Sequence, residues 1–312
     1  MRKILITGGA GFIGSSLADK LLENSDNYIV VADNLLTGNK EKLPQVSEDQ
    51  FKFINCDVNR YSPIASVMQS YQFDYVFHYA AVVGVKRTLA NPVMVLDDIK
   101  GIKNVLDLCK NTGVKRVFYA SSSEVYGESV TFPQNEETTP LNSRLPYAIV
   151  KNVGEAFCRS YKKEYGLDYT IFRFFNTYGP KQSIDFVISK FIKAALKNEP
   201  ITIYGDGKQS RTFCSIEDNV GACINAFEQN KFVNDVINIG NDKEYSVLEL
   251  AKIIKEITNS NSEILFNEAL PEGDMQRRKP DISKMKLILN KNLIELKEGL
   301  KEVIKSKYII NE

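Results

Sequence analysis

The chain has 312 residues, 43% of them hydrophobic and 25% charged, the proportions of an ordinary globular protein of about two domains. Forty Lys and Arg against 39 Asp and Glu leave a net charge of +1, which argues against nucleic acid or an anionic membrane surface as the main partner. No run approaches the roughly 18 apolar residues that cross a bilayer. The five cysteines (Cys56, Cys109, Cys158, Cys214 and Cys223) form no C-x-x-C pair and, with a single histidine, no zinc spacing. Reduced thiols in a cytoplasmic protein without metal are expected.

Residues 2–7 read as a buried strand, because the apolar run behind Met1-Arg2-Lys3 stops at Thr7-Gly8-Gly9, too soon for a signal peptide. The segment Gly8-Gly9-Ala10-Gly11-Phe12-Ile13-Gly14 then opens a helix predicted over 12–24. It satisfies G-x-G-x-x-G from Gly9 and G-x-x-G-x-x-G from Gly8. The first glycine allows the tight turn, the middle one lets backbone N–H groups approach a pyrophosphate, and the last lets helix pack on strand. The positive end of the helix dipole favours the phosphates. The next strand, 28–33, ends on Asp33 beside Asn34, roughly 20 residues past the glycines, where an acid binds the adenosine ribose. A carboxylate there repels a 2′-phosphate, so NAD is expected over NADP.

Apolar runs at 51–54, 74–78 and 116–121 alternate with helical spacing at 61–71, 93–111 and 146–165, and 169–175 reads as a sixth strand. Such alternation predicts an α/β fold, a Rossmann-type doubly wound parallel sheet covered on both faces, over residues 1–175. Within it, Ala120-Ser121-Ser122-Ser123-Glu124-Val125-Tyr126-Gly127 follows a strand. Downstream, Tyr147 and Lys151 stand at i and i+4 on one helix face. A lysine about 4 Å from a phenol, at an effective dielectric near 20, favours the tyrosinate by about 4 kcal/mol, which suits a general base.

The rhythm changes after Asn176-Thr177-Tyr178-Gly179-Pro180. A helix at 184–197, a strand Ile201–Tyr204 and a turn at Gly205-Asp206-Gly207 are predicted, then helices at 217–229, 246–258 and 293–305. The Pro-, Gly- and charge-rich stretch 271–281 reads as a loop. Residues 176–312 are thus expected to be mainly a smaller C-terminal α/β substrate-binding lobe, with 212–245 returning to the first domain.

Four motifs, TGGAGFIG, SSSEVYG, YAIVK and FFNTYGP, in this order and spacing, resemble the extended short-chain dehydrogenase/reductases that act on nucleotide sugars, and the resemblance covers essentially the whole chain. It implies oxidation at C4 of a nucleotide-diphosphate sugar. Tyr147 would take the hydroxyl proton, Lys151 would bind the nicotinamide ribose, Ser122 would hydrogen-bond the reacting hydroxyl, and hydride would pass to NAD. Asp57 and Val58 would lie along the adenine, and Ala80 and Ala81 on the cofactor side. Ser123, Asn176, Arg211 and Arg278 would face the substrate, the two arginines at its diphosphate. Lys86 and Arg87 would border the sugar pocket. His78 reads as a packed strand-end residue. The chain departs from many members at Asp98, where an asparagine is common, and at Gly101-Ile102, where a G-T pair is common.

Several net reactions start from C4 oxidation, and 4-epimerisation is placed first on family frequency. Net C4 dehydrogenation, 4,6-dehydration of the GDP-mannose type and uronate decarboxylation are the alternatives. Glu124 matches the glutamate of those dehydratases and decarboxylases, where it could move a C5 proton; it could equally be structural. The small apolar loop Ala80–Val85 is compatible with a turning keto sugar. The reading from another class is a non-catalytic NAD-binding sensor, opposed by the retention of Ser122, Tyr147 and Lys151. By resemblance the chain forms a homodimer through helices 93–111 and 146–165.

Overall fold

The computed structural model describes residues 1–268, 277–306 and 308, apart from the side chains of Val85 and Lys86. Along the first half run β1 (Arg2–Thr7), α1 (Phe12–Leu21), β2 (Asn27–Asp33), β3 (Phe51–Asn55), α2 (Tyr61–Tyr71) and β4 (Tyr75–His78). They are followed by α3 (Val85–Ala90), α4 (Pro92–Leu96), α5 (Asp98–Thr112), β5 (Arg116–Ser122), α6 (Pro146–Tyr165) and β6 (Asp168–Phe174). The second half holds β7 (Thr177–Tyr178), α7 (Val187–Leu196), β8 (Ile201–Tyr204), β9 (Ser210–Thr212), β10 (Cys214–Ser215) and α8 (Ile216–Glu228). It ends with β11 (Asp235–Ile239), β12 (Glu244–Ser246), α9 (Val247–Thr258), β13 (Ile264–Asn267), α10 (Ser283–Leu289) and α11 (Leu296–Lys305).

The main sheet has seven strands in the order β11-β6-β5-β4-β1-β2-β3. Pairings from β3 through β2, β1 and β4 to β5 are parallel. The chain winds outward from β1 in one direction and from β4 in the other, so the β1–β4 boundary is the topological switch point where dinucleotides bind beyond the strand ends. Residues such as Ile4, Leu5, Ile6, Val30 and Val76 have no exposed surface, as both faces of a covered parallel sheet require. The helices α2, α5 and α6 contribute Ile64, Met68, Val105, Cys109, Val150 and Cys158 to the core on one face.

The chain divides into two compact units. The first comprises 1–125, 143–173 and 223–237, and the second 126–142, 174–222 and 238–312. Sequence spacing had run the first unit unbroken to residue 175, whereas residues 126–142 cluster with the second. The second unit has its own core, built from Tyr178, Ile188, Ile192, Ile201, Leu250, Ile254, Leu296 and Leu300.

Three of the departures from the pattern expectations bear on the sheet and the site. The helix expected over 93–111 is two, α4 and α5, meeting at Asp97, and a further helix, α3, precedes them. Pro92 stops α3 and starts α4, because it lacks an N–H and restricts the residue before it. Strand β11 went unpredicted, yet it closes the edge of the sheet beside β6. Residues 277–281 of the expected loop form isolated parallel bridges, Ser210 with Arg277 and Gln134 with Pro280, while 271–276 lie outside the described residues.

Candidate active site

The site starts from the turn after β1. Gly8 has φ +70°, and its N–H donates to the Ala32 carbonyl at 2.8 Å. A Cβ there would stand 2.6 Å from the Ala80 backbone beyond β4, so only glycine lets the β1 and β4 loops meet at the switch point. A Cβ at Gly14 would stand 2.6 Å from the Gly8 carbonyl oxygen. Gly11 is the N-cap of α1, extended and without a side-chain cap, and the first turn of the helix, Phe12 and Ile13 onward, carries no acid. Such a bare, positively polarised helix end beside a glycine turn has the geometry and polarity that suit a pyrophosphate.

Asp33 is buried at the end of β2. Its Oδ2 accepts the Ala10 N–H at 3.0 Å and its Oδ1 the Leu35 N–H at 2.7 Å. Burial raises its pKa, and the two amide bonds oppose that rise. Each oxygen keeps a lone pair for a ribose hydroxyl, so the residues present fit an adenosine dinucleotide. Asn34 is exposed and accepts the Leu36 N–H at 3.0 Å. Gly38, which the motif did not include, lies against the acid: a Cβ there would be 2.8 Å from Asp33 Oδ1. Asp57 and buried Val58 follow β3, with Asp57 Oδ1 accepting the Asn59 N–H at 3.0 Å. Half-buried Ala80 and Ala81 follow β4, and the Ala80 N–H donates to Thr7 Oγ1 at 3.3 Å. These residues therefore collect at the carboxyl edge of the sheet.

The end of β5 supplies buried Ser122 and Ser123. Ser122 Oγ accepts the N–H of half-buried Glu124 at 3.2 Å, within the helical turn Ser123–Tyr126. Pro146 at the first position of α6 starts the helix that carries Tyr147 and Lys151. Lys151 is buried, and its Nζ donates to the Ala120 carbonyl at 2.7 Å while lying 5.7 Å from the centre of the Tyr147 ring. Burial lowers the Lys151 pKa to about 8, against the attraction of Asp98, so it still carries its proton at neutral pH. A buried cation beside the ring favours an anionic tyrosine over the neutral phenol. His78 is buried at the end of β4 with its Nδ1 2.7 Å from Thr7 Oγ1; burial first, then Lys151, push its pKa down to about 3, so it is neutral.

Two further residues support this centre. Glu155, one turn beyond Lys151, accepts from Ser121 Oγ at 2.6 Å and from Arg173 Nε and Nη2 at 2.8 and 2.7 Å. Burial alone would raise its pKa, but the Arg173 bonds outweigh it and hold the carboxyl below its ordinary value. The pair ties α6 to β5 and β6. The signals available in sequence were an acid at i+4 from Lys151 and an arginine inside an apolar strand. Asp98, the departure from the common asparagine, accepts the Val82 N–H at 2.7 Å and Asn59 Nδ2 at 3.3 Å, and so holds the loop after β4.

In the second unit, half-buried Asn176 accepts the Cys214 N–H on its carbonyl at 2.8 Å. Arg211 in β9 and Arg278 are both buried, and the Ser210–Arg277 bridge sets them one residue further along adjacent parallel segments. Arg87, in the first unit, donates to the Val83 carbonyl at 3.1 Å. The Lys86 side chain lies outside the described residues. Among the described residues no helix is long and apolar enough to cross a membrane.

Residues 4–240 match the NAD dependent epimerase/dehydratase family. The UDP-glucuronic acid decarboxylase 3 of Arabidopsis thaliana is 39% identical over 96% of this chain and 86% of its own length. The putative UDP-glucose 4-epimerase of Methanocaldococcus jannaschii is 38% identical over 96% of this chain and 97% of its own. The crystal structure of UDP-glucose 4-epimerase from Thermotoga maritima with UDP-glucose superposes with a TM-score of 0.92 at 32% identity, covering 99% of this chain and 100% of that one.

Proposed function

The chain belongs to the NAD-dependent epimerase/dehydratase family, and on that premise we propose that it is a UDP-sugar 4-epimerase, acting as a homodimer in the cytoplasm. It is an enzyme with NAD as its cofactor. Bound NAD supplies the hydride acceptor, and later the donor, for C4. In this reading Gly8, Gly11 and Gly14 bring backbone against the pyrophosphate and Asp33 takes the ribose hydroxyls. Tyr147 takes the proton of the C4 hydroxyl, Ser122 orients that hydroxyl, and Lys151 stabilises the charge left on the tyrosine oxygen. Asn176, Arg211 and Arg278 hold the sugar diphosphate, with Arg87 towards the sugar. For the homodimer, Ile149 and Tyr165 expose apolar surface on α6.

The observation that carries the oxidation step is a buried lysine, still protonated at neutral pH, 5.7 Å from the ring of a half-buried tyrosine on the same helix. Epimerisation as the net result is supported by likeness to the UDP-glucose 4-epimerase of Thermotoga maritima, with a TM-score of 0.92 at 32% identity. A second reading, decarboxylation of a UDP-uronic acid, is favoured by Glu124, whose backbone N–H donates to Ser122 Oγ at 3.2 Å.

The test incubates purified holoenzyme with UDP-glucose, UDP-galactose, UDP-N-acetylglucosamine and UDP-glucuronic acid, followed by proton NMR and mass spectrometry. Inversion at C4 with unchanged mass is expected. Loss of carbon dioxide from UDP-glucuronic acid would replace the first reading with the second, and loss of water would overturn both.

A further inference from the structure

Glu244 opens β12 and is not part of any motif in the sequence. Its single carboxylate gathers three side chains from two separate segments. Oε1 accepts Ser210 Oγ at 3.0 Å and Arg277 Nε at 2.7 Å, and Oε2 accepts Arg277 Nη2 at 2.7 Å with Lys279 Nζ at 3.4 Å. Ser210 is the neighbour of Arg211, and Arg277 and Lys279 flank Arg278 on both sides. Along extended backbone, successive side chains point to opposite faces. One face of these segments thus carries the Glu244 cluster, with Arg277 half-exposed, and the alternate positions are the buried Arg211 and Arg278.

The segment 277–281 is also held on its other side. The Gln134 N–H donates to the Lys279 carbonyl at 2.7 Å, and the Asp281 N–H returns to the Gln134 carbonyl at 2.8 Å. Arg211, Arg277, Arg278 and Lys279 place four cations on two neighbouring strands, and like charges so placed repel. Glu244 is the acid that bridges the two segments. Its carboxyl is held down to about 2, first by the Arg277 hydrogen bond, and so is charged at neutral pH.

We propose that Glu244 is a positioning residue for the substrate diphosphate: it locks the Arg278 segment against β9, so that Arg211 and Arg278 meet a pyrophosphate as a fixed pair. The inference rests on the reading of Arg211 and Arg278 as diphosphate ligands. Preorganised guanidinium forks bind phosphoryl oxygens without a further ordering cost, whereas a loosened segment would lose that advantage.

The test uses holoenzyme, UDP as the probe in calorimetry, and steady-state kinetics on the UDP-sugar that it converts. Arg211→Ala and Arg278→Ala examine the underlying reading, and each is expected to weaken UDP about tenfold or more. Glu244→Ala is expected to raise the UDP dissociation constant and KM about tenfold, as for a misplaced binding group, with kcat within roughly twofold. NAD content should not change. Arg277→Ala should reproduce the effect, and the double variant should be no worse than either single one, because both remove one clamp. A loss of UDP affinity in Arg278→Ala with none in Glu244→Ala would overturn the clamp and leave the diphosphate reading standing. Unchanged UDP affinity in both arginine variants would overturn the reading itself. Additive losses in the double variant would show that Glu244 and Arg277 act separately, and would overturn the clamp.

Discussion

A bidentate Arg–Glu pair in the first unit and one in the second have nearly the same geometry. Arg173 meets Glu155 at 2.8 and 2.7 Å in the first unit, and Arg277 meets Glu244 at 2.7 and 2.7 Å in the second. Their surroundings differ. The side chains of Arg173 and Glu155 are 2% and 0% exposed, against 46% and 21% for Arg277 and Glu244. Removing one partner from a buried pair leaves an uncompensated charge, at a cost of about 3–5 kcal/mol, while an exposed pair contributes about 0–1 kcal/mol. Distance therefore says little about what an ion pair does. The inner pair underlies the proposed reacting centre, through Ser121 beside Ser122 and through Glu155 one turn from Lys151. The outer pair joins β12 to the 277–281 segment at the surface.

The largest expected effect involves neither pair. Tyr147→Phe keeps the ring and should lower turnover by about 10²–10⁴-fold, with the melting temperature unchanged. Near-normal turnover in the substrate panel would remove Tyr147 as the base and separate the chemistry from the residues above the inner pair.

Glu155→Ala should come next, destabilising the fold by about 3–5 kcal/mol in urea titration because buried Arg173 loses both charge-assisted bonds to its carboxylate. Replacing both residues by apolar ones, Glu155→Leu with Arg173→Met, should recover much of that loss. A cost below about 1 kcal/mol for the single change would erase the distinction between the two pairs.

Burial of a lone charge in the same unit gives a third comparison. The folded pKa of Lys151, about 8, lies below its ordinary 10.5, so the unfolded chain binds more protons across that window and stability rises with pH through it. Below about 8 the full penalty is present. Unfolding titrations of the wild type and of Lys151→Met at pH 7.5 and 10.5 should differ, the wild type gaining up to about 3 kcal/mol relative to the variant as pH rises. The comparison cancels the buried thiols, whose pKa values burial raises in both proteins. A pH-independent difference would mean that Lys151 is hydrated.

The smallest expected effect is at the outer pair. Arg277→Ala should change unfolding free energy by no more than about 1 kcal/mol, since the pair is half-exposed and its removal strands no buried charge. A larger loss would make the second unit depend on its surface clamp for stability and would set the two pairs on the same footing.

How much of this was legible in the sequence follows from the range of each interaction. The glycine turn between Thr7 and Gly14, Asp33 at the end of its strand and the Tyr147–Lys151 spacing are set by chemistry within a few residues. Backbone sterics, strand alternation and helical periodicity act at that range. The parallel sheet followed from the alternation of short apolar runs with amphipathic ones. The residues expected to contact the cofactor accordingly lie together at the carboxyl edge.

Other features depended on partners far along the chain. The five residues of β11 become a strand because β6 offers an edge to pair with. Asp98 is turned inward because Val82 and Asn59 supply donors, and no helical pattern distinguishes that from an exposed acid. The stretch 277–281 has the composition of a loop and is held by Glu244 and Gln134 from distant segments. Amino-acid sequence by itself determined the glycine-rich strand–turn–helix, the acid at the end of the second strand, and the tyrosine–lysine spacing. Tertiary structure alone decided which charges are buried, which carboxylate meets which guanidinium, and how far Lys151 is from water, because burial and long-range pairing arise only once remote segments have packed.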